Sequence, residues 1–186
     1  LFIPNPTNHT IFEKRKNTSL KTANTPFSSR LALYLIEKFI DYPTNRIVIL
    51  GATSGIGLEI AKLYIAAGWQ VGAAGRRTEN LEALRAAAPD RVKIRSIDIT
   101  APEAEERLLR LIADLGGCDL LLHCAGIGYN NPQLDAAREI ATAETNTVGF
   151  TRIMDTAFDY FRRQGGGHLA AVSYTHLRAH ETLANL

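Results

Sequence analysis

The apolar run Ile47-Val48-Ile49-Leu50 passes directly into Gly51-Ala52-Thr53-Ser54-Gly55-Ile56-Gly57. A short run without polar alternation suits a strand covered on both faces. Apolar residues then recur at Ile56, Ile60, Leu63, Tyr64 and Ala67, the spacing of a helix, which Gly68 closes. The three glycines have separable tasks. Gly51 permits the tight turn, Gly55 lets backbone approach a phosphate, and Gly57 lets helix and strand pack closely. A helix opening near Gly55 turns unpaired N–H groups and a positive dipole end toward an anion. Thr53, Ser54 and Ile56 complete a turn suited to a pyrophosphate.

The remaining pattern alternates strand and helix. Gln70 to Gly75 reads as a small-residue strand, Glu79 to Ala88 as a helix broken by Pro89-Asp90, and Val92 to Ile97 as a third strand. Pro102 marks the next helix start, with Ala104, Leu108, Leu111, Ile112 and Leu115 on one face, and Gly116-Gly117 ends it. Asp119 to Cys124 is predicted as a fourth strand. A long helix over 134 to 163 then buries Phe150, Ile153, Met154, Ala157, Phe158 and Phe161, and His168 to Ser173 forms a fifth strand. This order predicts an α/β fold, a Rossmann-like doubly wound parallel sheet with helices on both faces. Ligands in such sheets bind at the carboxyl ends of the strands, where strand order reverses.

A chain of 186 residues suits one domain. Its 46% hydrophobic and 22% charged composition is that of an ordinary globular protein, and a net charge of +2 gives no reason to expect nucleic acid. No apolar run approaches the ~20 residues that span a bilayer. Cys118 and Cys124 lie in one apolar segment that reads as extended, roughly 20 Å apart and beyond disulfide reach. Two reduced, buried thiols suit a cytoplasmic protein, and no Cys/His spacing suggests a metal site. Residues 1–45 form a polar leader rich in Asn, Thr, Ser and Lys, with a short amphipathic helix expected over Arg30 to Ile40. The leader reads as disordered or non-native sequence, as a transit-like peptide, or as a functional arm. The first residue is Leu1 and the single methionine is Met154.

Gly51 to Gly57, Asp98 after the third strand, Cys124-Ala125-Gly126 after the fourth and Asn146 in the long helix together resemble the short-chain dehydrogenases/reductases. The resemblance runs from about Arg46 to Ser173. Leu50 stands where that family usually has Thr, and His123-Cys124 stand where it usually has two asparagines. The resemblance implies an oxidoreductase that moves hydride between a nicotinamide cofactor and a carbonyl or alcohol carbon of a small molecule. It implies that Asp98 binds the adenine amino group, that Ile99 lines the adenine pocket and that Ala125-Gly126 admit the nicotinamide ribose. From spacing alone, Asp98 could equally cap a turn before Thr100. Asn146 would hold a water in a proton relay. The intact protein could pair its long helices in a homo-oligomer. An NAD site places an acid after the second strand, whereas this chain has Gly75-Arg76-Arg77 with no acid until Glu79. Guanidinium groups there suit a 2′-phosphate, so NADP(H) is expected over NAD(H). His123 is expected as a core or pocket-edge residue, and Tyr129 as a pocket border or packing residue.

The same resemblance asks for a Ser pair after strand five and Tyr-x-x-x-Lys about a dozen residues later. Ser173 matches the first Ser, but Tyr174 replaces the second. Tyr174 to Arg178 imitates Tyr-x-x-x-Lys without the intervening loop and with arginine, which does not deprotonate. The tail over 174–186 resembles a translated sequencing adapter, so genuine sequence is expected to stop near Ser173. The sheet would then be incomplete at its C-terminal edge, the chain inactive and poorly soluble. A non-catalytic NADP-binding module and a non-folding fragment remain open alternatives.

Overall fold

The computed structural model describes residues 45–172. The leader, the helix expected over Arg30 to Ile40, Ser173 and the 174–186 tail lie outside the described residues. Five parallel strands form one sheet: β1 (Arg46–Leu50), β2 (Gln70–Gly75), β3 (Val92–Ser96), β4 (Leu120–His123) and β5 (His168–Ala171). Their spatial order is β3-β2-β1-β4-β5. The connecting helices are α1 (Gly55–Ala66), α2 (Thr78–Ala87), α3 (Ala104–Asp114), α4 (Ala136–Ala143) and α5 (Phe150–Gln164). This is the Rossmann-like α/β fold, with the chain reversing direction across the sheet between β1 and β4.

The strand period of two divides the core into two layers. Ile47, Ile49, Val71 and Leu122 join Ile60, Tyr64 and Leu81 of α1 and α2 on one face. Val48, Leu50 and Leu121 join Leu108, Leu111, Ile153 and Phe161 of α3 and α5 on the other. Both faces of β1 are therefore buried, which is why its sequence shows no polar alternation. At the amino end of the sheet, Arg46 holds Asp119 through both carboxylate oxygens, at 3.0 and 2.9 Å, and also donates to the Gly116 carbonyl. The bridge ties the start of β1 to the start of β4 and helps set their register.

Four expectations need correction. The helix after β3 begins at Ala104, not Pro102, because residues 101–103 form a turn closed by the Ala104 N–H bonding the Ala101 carbonyl. The long helix is interrupted: α4 ends at Ala143, Glu144–Gly149 is π-helical, and α5 starts at Phe150. A π turn inserts a residue and rotates the helix downstream of it, so one stripe cannot be projected through it. Phe158 is 60% exposed, because it lies about 100° around α5 from buried Ala157. β5 ends at Ala171, although Val172 N–H still bonds the His123 carbonyl.

Gly57 is required by space. A Cβ there would stand 2.3 Å from the Gly51 carbonyl oxygen and 2.9 Å from its carbon, both backbone atoms held by the sheet. Gly57→Ala is therefore expected to cost about 1–3 kcal/mol in urea unfolding. A loss below about 0.5 kcal/mol would contradict this packing.

Candidate active site

The carboxyl ends of β1, β2 and β4 open into a cleft of about 700 Å³, within the roughly 300–1,000 Å³ usual for cofactor pockets. Its floor is the glycine turn. Gly51 adopts φ +86°, and a Cβ there would lie 2.7 Å from both Ala125 N and Cys124 C. The turns after β1 and β4 thus meet backbone to backbone. Gly55 adopts φ +53° and faces open space. Thr53, Ser54, Gly55 and Ile56 line the cleft, while Gly57 lies beneath them against Gly51.

Ser54 occupies the N-cap position of α1 but makes no capping bond. Its hydroxyl accepts from Arg77 instead. No acidic side chain occupies the first turn of α1, so the helix dipole is not offset there. An uncapped helix N-terminus at the floor of a cleft is a place for phosphate oxygens.

Arg76 and Arg77 follow β2 and line the same cleft. The Arg77 guanidinium donates to Thr53 Oγ1 at 3.2 Å as well as to Ser54. Asp98 and Ile99 form the opposite lip. One Asp98 oxygen accepts from the Thr100 N–H at 3.0 Å and from its hydroxyl at 2.8 Å. The turn-capping reading of Asp98 is therefore realised, and Asp98 also lines the cleft. Partial burial pushes its pKa up, but the Thr100 donors and the Arg76 charge outweigh burial and hold it below the usual carboxylate value.

Beyond β4, Cys124, Ala125, Gly126 and Ile127 form the third wall. Asn146 does not line the cleft. It sits in the π turn and clamps Ile127, accepting from Ile127 N at 2.9 Å and donating to Ile127 O at 2.7 Å. Both ends of the amide are thus spent on backbone, in the manner of a strand partner. Thr145, its neighbour, is buried and lines the cleft. Sequence reading missed Thr145, whose adjacency to Asn146 was the available signal. Tyr129 is exposed and lies apart from the cleft wall. Burial pushes the thiols of both Cys118 and Cys124 up to about 12, so neither is poised as a nucleophile at neutral pH.

A five-stranded parallel sheet with an uncapped glycine turn at its switch point is the Rossmann-like arrangement in which ligands bind at the carboxyl ends of the strands. The family model described as short chain dehydrogenase matches residues 45–180, and the chain belongs to that family. An uncharacterized oxidoreductase of Mycobacterium tuberculosis is 31% identical over 138 residues, covering 69% of this chain and 54% of its own length. A short-chain dehydrogenase from Streptomyces avermitilis superposes with TM-score 0.62 at 30% identity, over 70% of this chain and 49% of that one. The closed form of a serine dehydrogenase complexed with NADP+ superposes with TM-score 0.64 at 25% identity, over 70% and 54%. The chain spans about half the length of the relatives it matches. Among the described residues, no helix is long and apolar enough to cross a membrane.

His123 is a core residue, 2% exposed, with its ring edge-on to Phe150 at 5.0 Å and Nε2 without a hydrogen-bond partner among the described residues. Burial lowers its pKa from 6.5 to about 4. Because the folded value is depressed, the neutral ring's contribution is complete above the unfolded pKa. It is lost as pH falls from about 6.5 toward 4, where the unfolded chain takes a proton the folded chain refuses. Urea unfolding at pH 7.5 and 4.5 should show roughly 2–3 kcal/mol more acid loss for the wild-type chain than for His123→Leu. Equal losses would contradict the buried neutral ring.

Proposed function

We propose that this chain carries the NADP(H) site of an oxidoreductase that transfers hydride between nicotinamide and a carbonyl or alcohol carbon of a small molecule. The carrying observation is the pair Arg76 and Arg77 on the cleft lip beside the uncapped α1 turn, with no acid at the end of β2. The cradle suits the cofactor: Gly55 leaves backbone accessible, and α1 offers N–H groups to the pyrophosphate. Asp98 and Ile99 would receive the adenine, and Ala125 and Gly126 the nicotinamide ribose. Bound there, the cofactor supplies or accepts the hydride.

The chain's own residues divide the remaining work. Arg77, tied by one nitrogen to Thr53 and Ser54, keeps other N–H groups for a 2′-phosphate, and Arg76 adds a second positive charge. Asn146 fixes Ile127 and with it the β4 wall, and by the family resemblance it would hold a relay water. Ser173, outside the described residues, matches the first Ser of the family's pair, and Tyr174 stands where the second, which would orient a substrate carbonyl, is expected. Proton transfer needs a general acid tuned toward neutral pH. Tyr174 and Arg178 have the family's Tyr-x-x-x-Lys spacing, but arginine cannot replace the lysine. Cys118 and Cys124, separated by the length of β4, suit the reducing cytoplasm.

Fluorescence titration of NADPH and NADH tests the cofactor reading. The wild-type chain should prefer NADPH, and the double variant Arg76→Ala, Arg77→Ala should lose about tenfold or more for NADPH with little change for NADH. Equal loss for both, or no binding by the wild type, would overturn it.

A further inference from the structure

Thr53 sits at the centre of the glycine turn and is 6% exposed. Three groups of the β2–α2 connection hold it. Its methyl packs over Gly75, where a Cβ would come within 2.6 Å of Cγ2. Its hydroxyl accepts from Arg77 at 3.2 Å, and its carbonyl accepts from the Asn80 side-chain amide at 2.7 Å. The Gly51 and Ala52 N–H groups share the Ala74 carbonyl, each at 2.9 Å. The whole turn is hung from the end of β2.

Asn80 stands out in this set. An Asn in the first turn of a helix ordinarily bonds nearby backbone or water. Asn80 instead reaches 27 residues back along the chain, to a carbonyl of another loop. A buried carbonyl without a partner is costly, so this bond selects one orientation of the Thr53–Ser54 peptide. In a trans peptide, C=O and N–H point in opposite directions. Holding the Thr53 carbonyl toward α2 therefore turns the Ser54 N–H away from α2. Ser54 is extended, at φ −166° and ψ 172°, and leads into Gly55 at the start of α1. One amide thus sets the plane of the peptide that enters the N-cap residue of the anion-binding helix turn.

We infer that Asn80 is a positioning residue for pyrophosphate recognition: through the Thr53 carbonyl it fixes the peptide that leads into α1. The inference rests on the cofactor reading proposed for this cleft. It separates two halves of the site. Arg76 and Arg77 read the 2′-phosphate, and Asn80 orders the turn that meets the pyrophosphate, whichever dinucleotide brings it. Loss of Asn80 should therefore weaken NADPH and NADH together and leave discrimination between them intact.

The test uses the 186-residue chain and its variants Asn80→Leu, which keeps the side-chain shape without a donor, and Asn80→Ala. Far-UV circular dichroism checks that each is folded. NADPH, NADH and adenosine 2′-monophosphate, which carries the 2′-phosphate but no pyrophosphate, are titrated into each. The expected result is about a tenfold loss for both dinucleotides in both variants, with adenosine 2′-monophosphate within about twofold of wild type. Unchanged dinucleotide affinity overturns the role of Asn80, and so does an equal loss for adenosine 2′-monophosphate, which marks general damage. Failure of the wild-type chain to bind either dinucleotide overturns the cofactor reading, and the inference falls with it.

Discussion

At the carboxyl ends of β1 and β4 two backbones meet with no room for a methylene between them. Gly51 faces Ala125 N and Cys124 C at 2.7 Å from where its Cβ would stand, and Gly57 backs onto the Gly51 carbonyl at 2.3 Å. The rest of the site depends on this closeness. It places the start of α1 over the switch point of the sheet, so that the helix dipole, the turn amides and the β4 wall converge on one cleft. A side chain at either glycine would drive strand and helix apart, and the cleft would lose its floor.

Polar contacts then lock what the glycines permit. Thr53 is gripped by Gly75, Arg77 and Asn80 from one side, and Asn146 grips Ile127 from the other. Each grip joins a cleft-lining loop to a helix packed on the sheet. Ser54 gives up its capping role to receive Arg77, leaving the first turn of α1 open to solvent or an anion. A capped helix would be more stable by about 1 kcal/mol, so the arrangement favours binding over local stability.

Much of this was legible in the sequence because it is local. The glycine spacing, the buried strand before it and the helical period after it are contiguous from Ile47 to Gly68, and Arg76-Arg77 follow β2 directly. What was not legible depends on tertiary proximity. Asn80 looks like any polar residue on a helix surface until α2 is laid beside the glycine turn. The family resemblance pointed to Asn146, but its partner Ile127 lies 19 residues away. The π turn over Glu144–Gly149, which carries the cleft-lining Thr145, hid in a segment that reads as continuous helix. His123 was read as a core or pocket-edge residue from its leucine neighbours, and the sheet places it in the core.

The proposed site is one cleft, floored by the glycine turn and walled by β4, that would receive the dinucleotide. Amide chemical shifts of the isotope-labelled chain, recorded as NADPH is added, test it most directly. The account predicts saturable shifts concentrated at Gly51–Gly57, Arg76–Arg77, Asp98–Ile99 and Ala125–Ile127, with little change on the far faces of α3 and α5. Shifts spread evenly over the chain, or confined to residues away from this cleft, would contradict it.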